Sequence, residues 1–310
     1  MIYTVTLNPA LDKTVEIPGF TVDSVNRITT MRTDPGGKGI NVSKVISKLG
    51  GTSIAGGILG GATGKAILAA LEEMGLKGEF HFAEGETRTN LKVVDREGRT
   101  NTDINEPGLR VSEEILSKVL GELLGKIGEK DIVVLSGSLP GGAPKDTYLT
   151  WVKACRGKGA KVILDADGEL LAEGLKGSPY LVKPNNHELS RIMGRTLETK
   201  EDMVQAAKKL MVQYGIGKMV VSLGGDGALY ITGEATIYAE GLKVPVGSTV
   251  GAGDSVVAAL AFAEETGMSL EDTVRLSTAT GAANVMCSGT QAAEYEVIRE
   301  LMPKVVYRYC

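Results

Sequence analysis

Short runs rich in Val, Ile and Leu alternate with segments of helical period along most of the chain. IYTVTL, TSIAGGI, DIVVLSG, KVILD, YLVKP and KMVVSLG have the length and β-branched content of buried strands. Between them, GINVSKVISKLG, TGKAILAALEEMG, the region around TYLTWVKAC and the stretch from Glu201 to Tyr214 predict helices, and glycine closes the first two. VVAALAFAEE is apolar on nearly every face and predicts a buried helix ending before Gly267. Strands without a polar face must be covered on both sides. The alternation therefore predicts an α/β fold with a parallel sheet between two helical layers, and ligands at the loops that follow the strands.

Two stretches break the pattern. Lys13 to Asp34, with KTVEIPGF and VNRITTMR, and Thr89 to Asn105, with NLKVVDREGRTNTDI around a turn at Glu97 and Gly98, look like polar, half-exposed hairpins. They predict a small β lid inserted twice: core residues 1–11, 35–88 and 106–310, lid residues 12–34 and 89–105. A sheet of a few strands leaves a face and its edges uncovered, so it is expected to pack on the core or on the lid of a second copy, giving a homodimer.

Composition narrows the chemistry. At 310 residues the chain can bury a large core, and its net charge of −4, without a Lys or Arg run, argues against nucleic acid and favours a small-molecule partner. The N-terminus lacks a signal-peptide pattern and no 18-residue apolar stretch follows, so no membrane association and a cytoplasmic location are expected. Cys155, Cys287 and Cys310 lie far apart and only His81 and His187 are present, which argues against both a disulfide framework and a zinc site. No G-x-S-x-G elbow occurs, and GGATGKA has Ala66 where a P-loop needs Ser or Thr.

The segment STVGAGDS, Ser248 to Ser255, carries the strongest chemical signal. It sets Asp254 and several backbone amides at the start of the buried helix, where unpaired N–H groups and the helix dipole suit a phosphoryl group. Asp254 is placed to accept a proton or, more blandly, to cap the helix. Gly251 and Gly253 followed by Val256 lack the third glycine of a dinucleotide-binding loop.

In chain order the strand-end loops read NPALD, PGGKGIN, TRTN, SGSLP, KPNNHE, SLGGDGA and STVGAGDS. This set, from Asn8 to Gly289, resembles the ribokinase-like (PfkB) family of carbohydrate kinases. The resemblance implies a three-layer sandwich with a mostly parallel central sheet and a small β-sheet lid. It also implies ATP-dependent, Mg2+-requiring phosphorylation of a sugar phosphate. MIYTVTLNPALD, PGGKGINVSKV, TDINEPG and KPNNHEL point to fructose 1-phosphate as acceptor at O6, with tagatose 6-phosphate, accepting at O1, as the alternative. A sugar-phosphate sensor without turnover is the more distant alternative.

By the same resemblance Asp254 is the base, and the amides of Gly251, Ala252 and Gly253 stabilise the transferring phosphoryl group. Asp12, Gly37, Lys38, Gly39, Asn41, Asn90 and Ser138 face the sugar, and Arg27 and Arg88 hold its phosphate. Lys183, Asn185, Ser222, Gly224, Gly225, Gly227 and Asn284 serve the nucleotide. Asn185 and Glu188 belong to the magnesium shell, through water. Carbonyls near Ser248, Val250, Asn284, Cys287 and Gly289 resemble a monovalent-cation site, for which K+ is the expected ion.

Overall fold

The computed structural model describes residues 1–310. The chain opens with β1 (Ile2–Thr6), enters a small sheet through β2 (Ala10–Glu16) and β3 (Thr30–Gly36), and returns through α1 (Lys38–Lys48). β4 (Ser53–Gly60), α2 (Gly61–Glu73) and β5 (Lys77–Ala83) precede a second visit to the small sheet, made by β6 (Arg88–Asp95) and β7 (Thr100–Asn105). Then come α3 (Glu113–Leu124), β8 (Ile132–Ser136), α4 (Thr147–Gly157), β9 (Lys161–Asp165), α5 (Gly168–Leu175), β10 (Leu181–Val182), α6 (Asn186–Met193), α7 (Lys200–Tyr214) and β11 (Lys218–Ser222). β12 (Ala228–Thr232), β13 (Thr236–Ala239), α8 (Ala252–Thr266), α9 (Leu270–Val285), α10 (Tyr295–Leu301) and β14 (Tyr307–Tyr309) complete the chain.

The main sheet has ten strands in the order β14-β13-β12-β11-β10-β9-β8-β1-β4-β5. From β5 to β11 every pairing is parallel; β12, β13 and β14 extend it antiparallel. Side-chain alternation splits the strands between two cores. Val133 and Leu135, Val162 and Leu164, and Met219 and Val221 point to the layer containing Leu116, Trp151, Leu171, Leu189 and Leu210 of α3 to α7. Ile132 and Val134, Ile163 and Val220 point the other way, to Val45, Leu260, Ala279 and Ile298 of α1, α8, α9 and α10. These residues are nearly solvent-free, so truncating one, as in Leu135→Ala, costs about 2–5 kcal/mol. The three-layer sandwich expected from the resemblance is the observed fold.

The small sheet runs β3-β2-β6-β7, with β2 and β6 parallel and the outer pairs antiparallel. Its strands begin or end one to two residues beyond the expected boundaries, at Ala10, Gly36 and Arg88. VNRITTMR forms strand only from Thr30, because residues 17–29 make a long connection rather than a tight turn. One face of the sheet is apolar, with Val15, Ile17 and Val93 buried beside Phe20 and Leu91. The opposite face is polar and looks toward the carboxyl ends of the main sheet.

From β1 the chain steps one way to β4 and later the other way to β8. The loops after these neighbours diverge and open a crevice where an α/β sheet ordinarily binds its ligand.

Candidate active site

Helix α8 is fixed by burial. Val257, Ala258, Leu260 and Ala261 are almost fully enclosed, which pins its first turn at the carboxyl edge of the sheet. Gly251 leads into it with φ 80°, a left-handed conformation that side chains resist. The amides of Gly251, Gly253 and Asp254 find no acceptor in the chain, and that of Ala252 makes only a long 3.4 Å contact to the Thr249 carbonyl. Such a terminus fits a phosphoryl group. Asp254 is 7% exposed, and Asn41 on α1 donates to its Oδ2 at 2.8 Å. Burial first, and the nearby Asp165 second, raise the Asp254 pKa; Lys38, Asn41 and Lys183 oppose the shift. The result is a stronger base than a surface aspartate.

Asp165, the last residue of β9, is the centre of the site's charge network. Its carboxylate lies 3.2 Å from the Lys38 ammonium and 3.5 Å from that of Lys183. Burial alone would raise its pKa, but Lys183 and Lys38 outweigh burial and hold it below the ordinary aspartate value. Lys38 in turn is pulled up by Asp165 and Asp254 against its own desolvation. A Cβ placed on Gly253 would sit 3.3 Å from Lys183 Nζ, so this ammonium lies beside the open amides.

The turn into α1 brings backbone to the cavity wall. At Gly36 a Cβ would collide with the Asp12 carboxylate, and at Gly37, with φ 111°, it would meet Thr6 at 2.6 Å. A cavity of about 520 Å3 follows. It brings together Asp12, Gly37, Lys38, Asn41, Arg88, Asn90, Ser138, Val250, Gly251, Asp254 and Gly289. Asn90 donates to Asp12 Oδ1 at 3.0 Å, and Arg88 donates to the carbonyls of Asn8 (3.0 Å) and Glu106 (3.2 Å). Asn41 Oδ1, Asn90 Oδ1, Arg88 Nε and Thr290 Oγ1 are buried without a partner. Unsatisfied polar atoms clustered in one cavity suit a polyhydroxylated ligand.

Other expected residues lie elsewhere. Arg27 is exposed in the 17–29 connection and does not line the cavity, so within one chain it is not brought to Arg88. Gly39 packs α1 on β1, since a Cβ there would reach Thr6 Oγ1 at 2.6 Å. Asn185 and Glu188 form a capping box on α6: Asn185 Oδ1 accepts from the Glu188 amide and Glu188 Oε2 from the Asn185 amide, both at 2.8 Å. That geometry leaves Glu188 Oε1 without a hydrogen-bond partner. Ser222 ends β11, and Gly224, Gly225 and Gly227 form the loop after it, outside the cavity but beside Asn185, which bridges to Ser222. Asn284 is buried against Gly251 with an unpartnered Oδ1. Of the carbonyls expected to hold a monovalent cation, that of Asn284 accepts from the Cys287 amide at 3.0 Å. Arg32 presses its guanidinium on the adjacent turn, donating to the Ser288 carbonyl at 2.9 Å.

Sequence reading missed Asp165, Asn8, Asp167 and Thr290 as parts of the site. For Asp165 a signal existed: KVILD ends an otherwise apolar parallel strand on an acid, where strand ends meet the ligand. Asn8 stands in NPALD, one of the strand-end loops, but its role comes from tertiary contacts to Pro107, Ser138 and Leu139, and Thr290 carries no local signature.

The pfkB family carbohydrate kinase model matches residues 5–296. A 1-phosphofructokinase of Bacillus subtilis is 39% identical over 305 residues, 98% of either chain. Phosphofructokinase-2 of Escherichia coli, solved with potassium, superposes with a TM-score of 0.93 at 33% identity, covering 98% of both chains. The same enzyme has been solved with fructose-6-phosphate (TM-score 0.92, 32% identity, 98% of both chains) and as a tetrameric inhibited form. With that match over nearly its whole length, and the glycine-flanked Asp254 at the head of α8, the chain belongs to the pfkB family of carbohydrate kinases.

Proposed function

We propose that this chain transfers the γ-phosphoryl group of ATP to O6 of fructose 1-phosphate, giving fructose 1,6-bisphosphate and ADP. The observation that carries the reading is the first turn of α8, where a buried carboxylate of raised pKa adjoins unpaired amides at the floor of a polar cavity. Asp254 takes the proton from the O6 hydroxyl. The oxygen forms its bond to the γ-phosphorus as the bond to the β-bridging oxygen breaks, and the electron pair leaves with ADP. The amides of Gly251, Ala252 and Gly253 meet the charge on the transferring group. Asn41 aims the Asp254 carboxylate, and Lys38 and Lys183, held by Asp165, keep positive charge on either side.

Mg2+ bound with ATP would neutralise phosphate charge. Glu188, with one carboxylate oxygen uncommitted, and Asn185 are the residues that would hold its water shell. Lys183, the Ser222–Gly227 loop and Asn284 serve the nucleotide; Asp12, Asn90, Ser138 and the Gly37 turn serve the sugar; Arg88 serves its phosphate. K+ is the proposed monovalent ion at the 248–250 and 284–289 carbonyls, a reading supported by the potassium complex of the related enzyme.

The small sheet acts as a lid of residues 12–34 and 89–105 over a core of 1–11, 35–88 and 106–310, and pairs with the lid of a second copy. Val22, Val25, Ile28, Met31 and Ile104 are exposed apolar groups on this sheet and its connection, and support that pairing. Sedimentation of the active enzyme should give a dimer; a fully active monomer removes the pairing. For the substrate, kcat/KM compared across fructose 1-phosphate, tagatose 6-phosphate, fructose 6-phosphate and fructose tests the reading. Fructose 1-phosphate should lead, and preference for another phosphoketose overturns the substrate while leaving the mechanism.

A further inference from the structure

The polar face of the small sheet carries two cross-strand rows. Asp34, Asp12, Asn90 and Asn105 stand in register nearer the core; one inner row further out stand Arg32, Thr14, Lys92 and Asp103. The first row is made of carboxylates and amides, groups that bind hydroxyls. In the second row, two cations flank Thr14. Arg32 is committed, with Nε 2.7 Å from Asp34 and a second nitrogen on the Ser288 carbonyl. Lys92 is not. Its side chain is 16% exposed and lines the cavity, yet its charged neighbour is the half-exposed Asp103 at 3.7 Å, beyond hydrogen-bond length. The other cavity cations are engaged, Lys38 with Asp165 and Arg88 with main-chain carbonyls.

A sheltered ammonium with a loose partner, facing a cavity for doubly charged ligands, exchanges that partner for a better one when phosphate enters. We propose that Lys92 is a phosphate ligand for the reaction assigned above, released from Asp103 to meet either the phosphate already on the sugar or the phosphoryl group of the nucleotide. The proposal rests on the sugar-phosphate kinase reading.

Steady-state kinetics of the parent, Lys92→Met, Lys92→Arg and Asp103→Asn, with sugar phosphate and ATP varied in turn, tests it. Lys92→Met should cost about 10- to 100-fold, the loss of one charge-assisted hydrogen bond. A rise in KM for the sugar phosphate alone identifies the sugar's phosphate; a rise in the ATP KM or a fall in kcat identifies the nucleotide's. Lys92→Arg should recover most of the loss. Asp103→Asn, which removes the competing carboxylate, should leave KM at or below the parent value. The proposal is overturned if Lys92→Met keeps both KM values and kcat within about twofold of the parent, or if Asp103→Asn reproduces the defect, which would make the pair a structural unit. Should the parent reject fructose 1-phosphate, the same series with the phosphoketose it accepts separates the role of Lys92 from the identity of the substrate.

Discussion

Replacing Asp165 with asparagine should destabilise the protein and shift the titration of Asp254 together. The carboxylate is 3% exposed and is flanked by two ammonium groups, at 3.2 Å (Lys38) and 3.5 Å (Lys183). Breaking a buried ion pair by removing one partner costs about 3–5 kcal/mol, because the remaining charge is left in a poor solvent. Here two cations lose their anion, but Asp254 stands close enough to take part of it, so the lower end applies. At roughly 2–4 °C per kcal/mol for a chain of this size or somewhat smaller, Tm should fall by roughly 10 °C. The sign with pH follows from the depressed pKa of Asp165. Its stabilisation is complete above the unfolded carboxylate value of about 3.9 and fades as pH falls through the lower folded value, so the gap between parent and variant should be full at pH 7 and narrow in acid. Removing this neighbouring negative charge also lowers the Asp254 pKa, moving the acid limb of kcat/KM to lower pH. Scanning calorimetry across pH and a pH–rate profile check both effects. A Tm gap below about 2 °C at pH 7, or an acid limb that moves upward, refutes the reasoning.

Asp254→Asn should lower kcat by roughly 10²- to 10⁴-fold with nucleotide affinity by calorimetry nearly unchanged. Because the Asp254 pKa is raised, its ionised form costs stability above that pKa, so the variant should melt at or above the parent temperature at pH 7 and lose this advantage in acid. Glu188→Gln should raise the Mg2+ concentration needed for half-maximal rate, partly relieved by excess metal; an unchanged requirement leaves Glu188 as a capping residue only. Arg88→Ala should raise KM for the sugar phosphate by about 10- to 100-fold with little change for ATP, while equal losses with fructose would indicate a misplaced lid.

The layers of this fold were legible because burial on both faces of a parallel sheet leaves uninterrupted apolar runs, as in DIVVLSG and KVILD. The antiparallel edge was not: ALYIT and TIYA lie outside the alternation of strand and helix, with no helix between them, and β14 pairs through only three residues near the chain's end. α3 and α9 also escaped, the latter because its Thr and Ser residues mask the apolar period. In the site, local chemistry revealed Asp254 and the Gly36–Asn41 turn, where glycine and polar residues sit beside buried helices. Asp165 stayed hidden because its role depends on two lysines from distant loops meeting at one strand end. Arg27 shows the converse: a residue matched by motif lies on a connection that the single chain does not bring to the cavity.

The most direct test of the account is phosphorus NMR of the parent and Asp254→Asn incubated with fructose 1-phosphate, ATP and Mg2+. The account predicts that the parent converts ATP to ADP with matching growth of a second sugar-phosphate resonance at C6, and that Asp254→Asn shows neither on the same time scale. ADP formed without a C6 phosphate, or a C6 phosphate formed as fast by Asp254→Asn as by the parent, would contradict it.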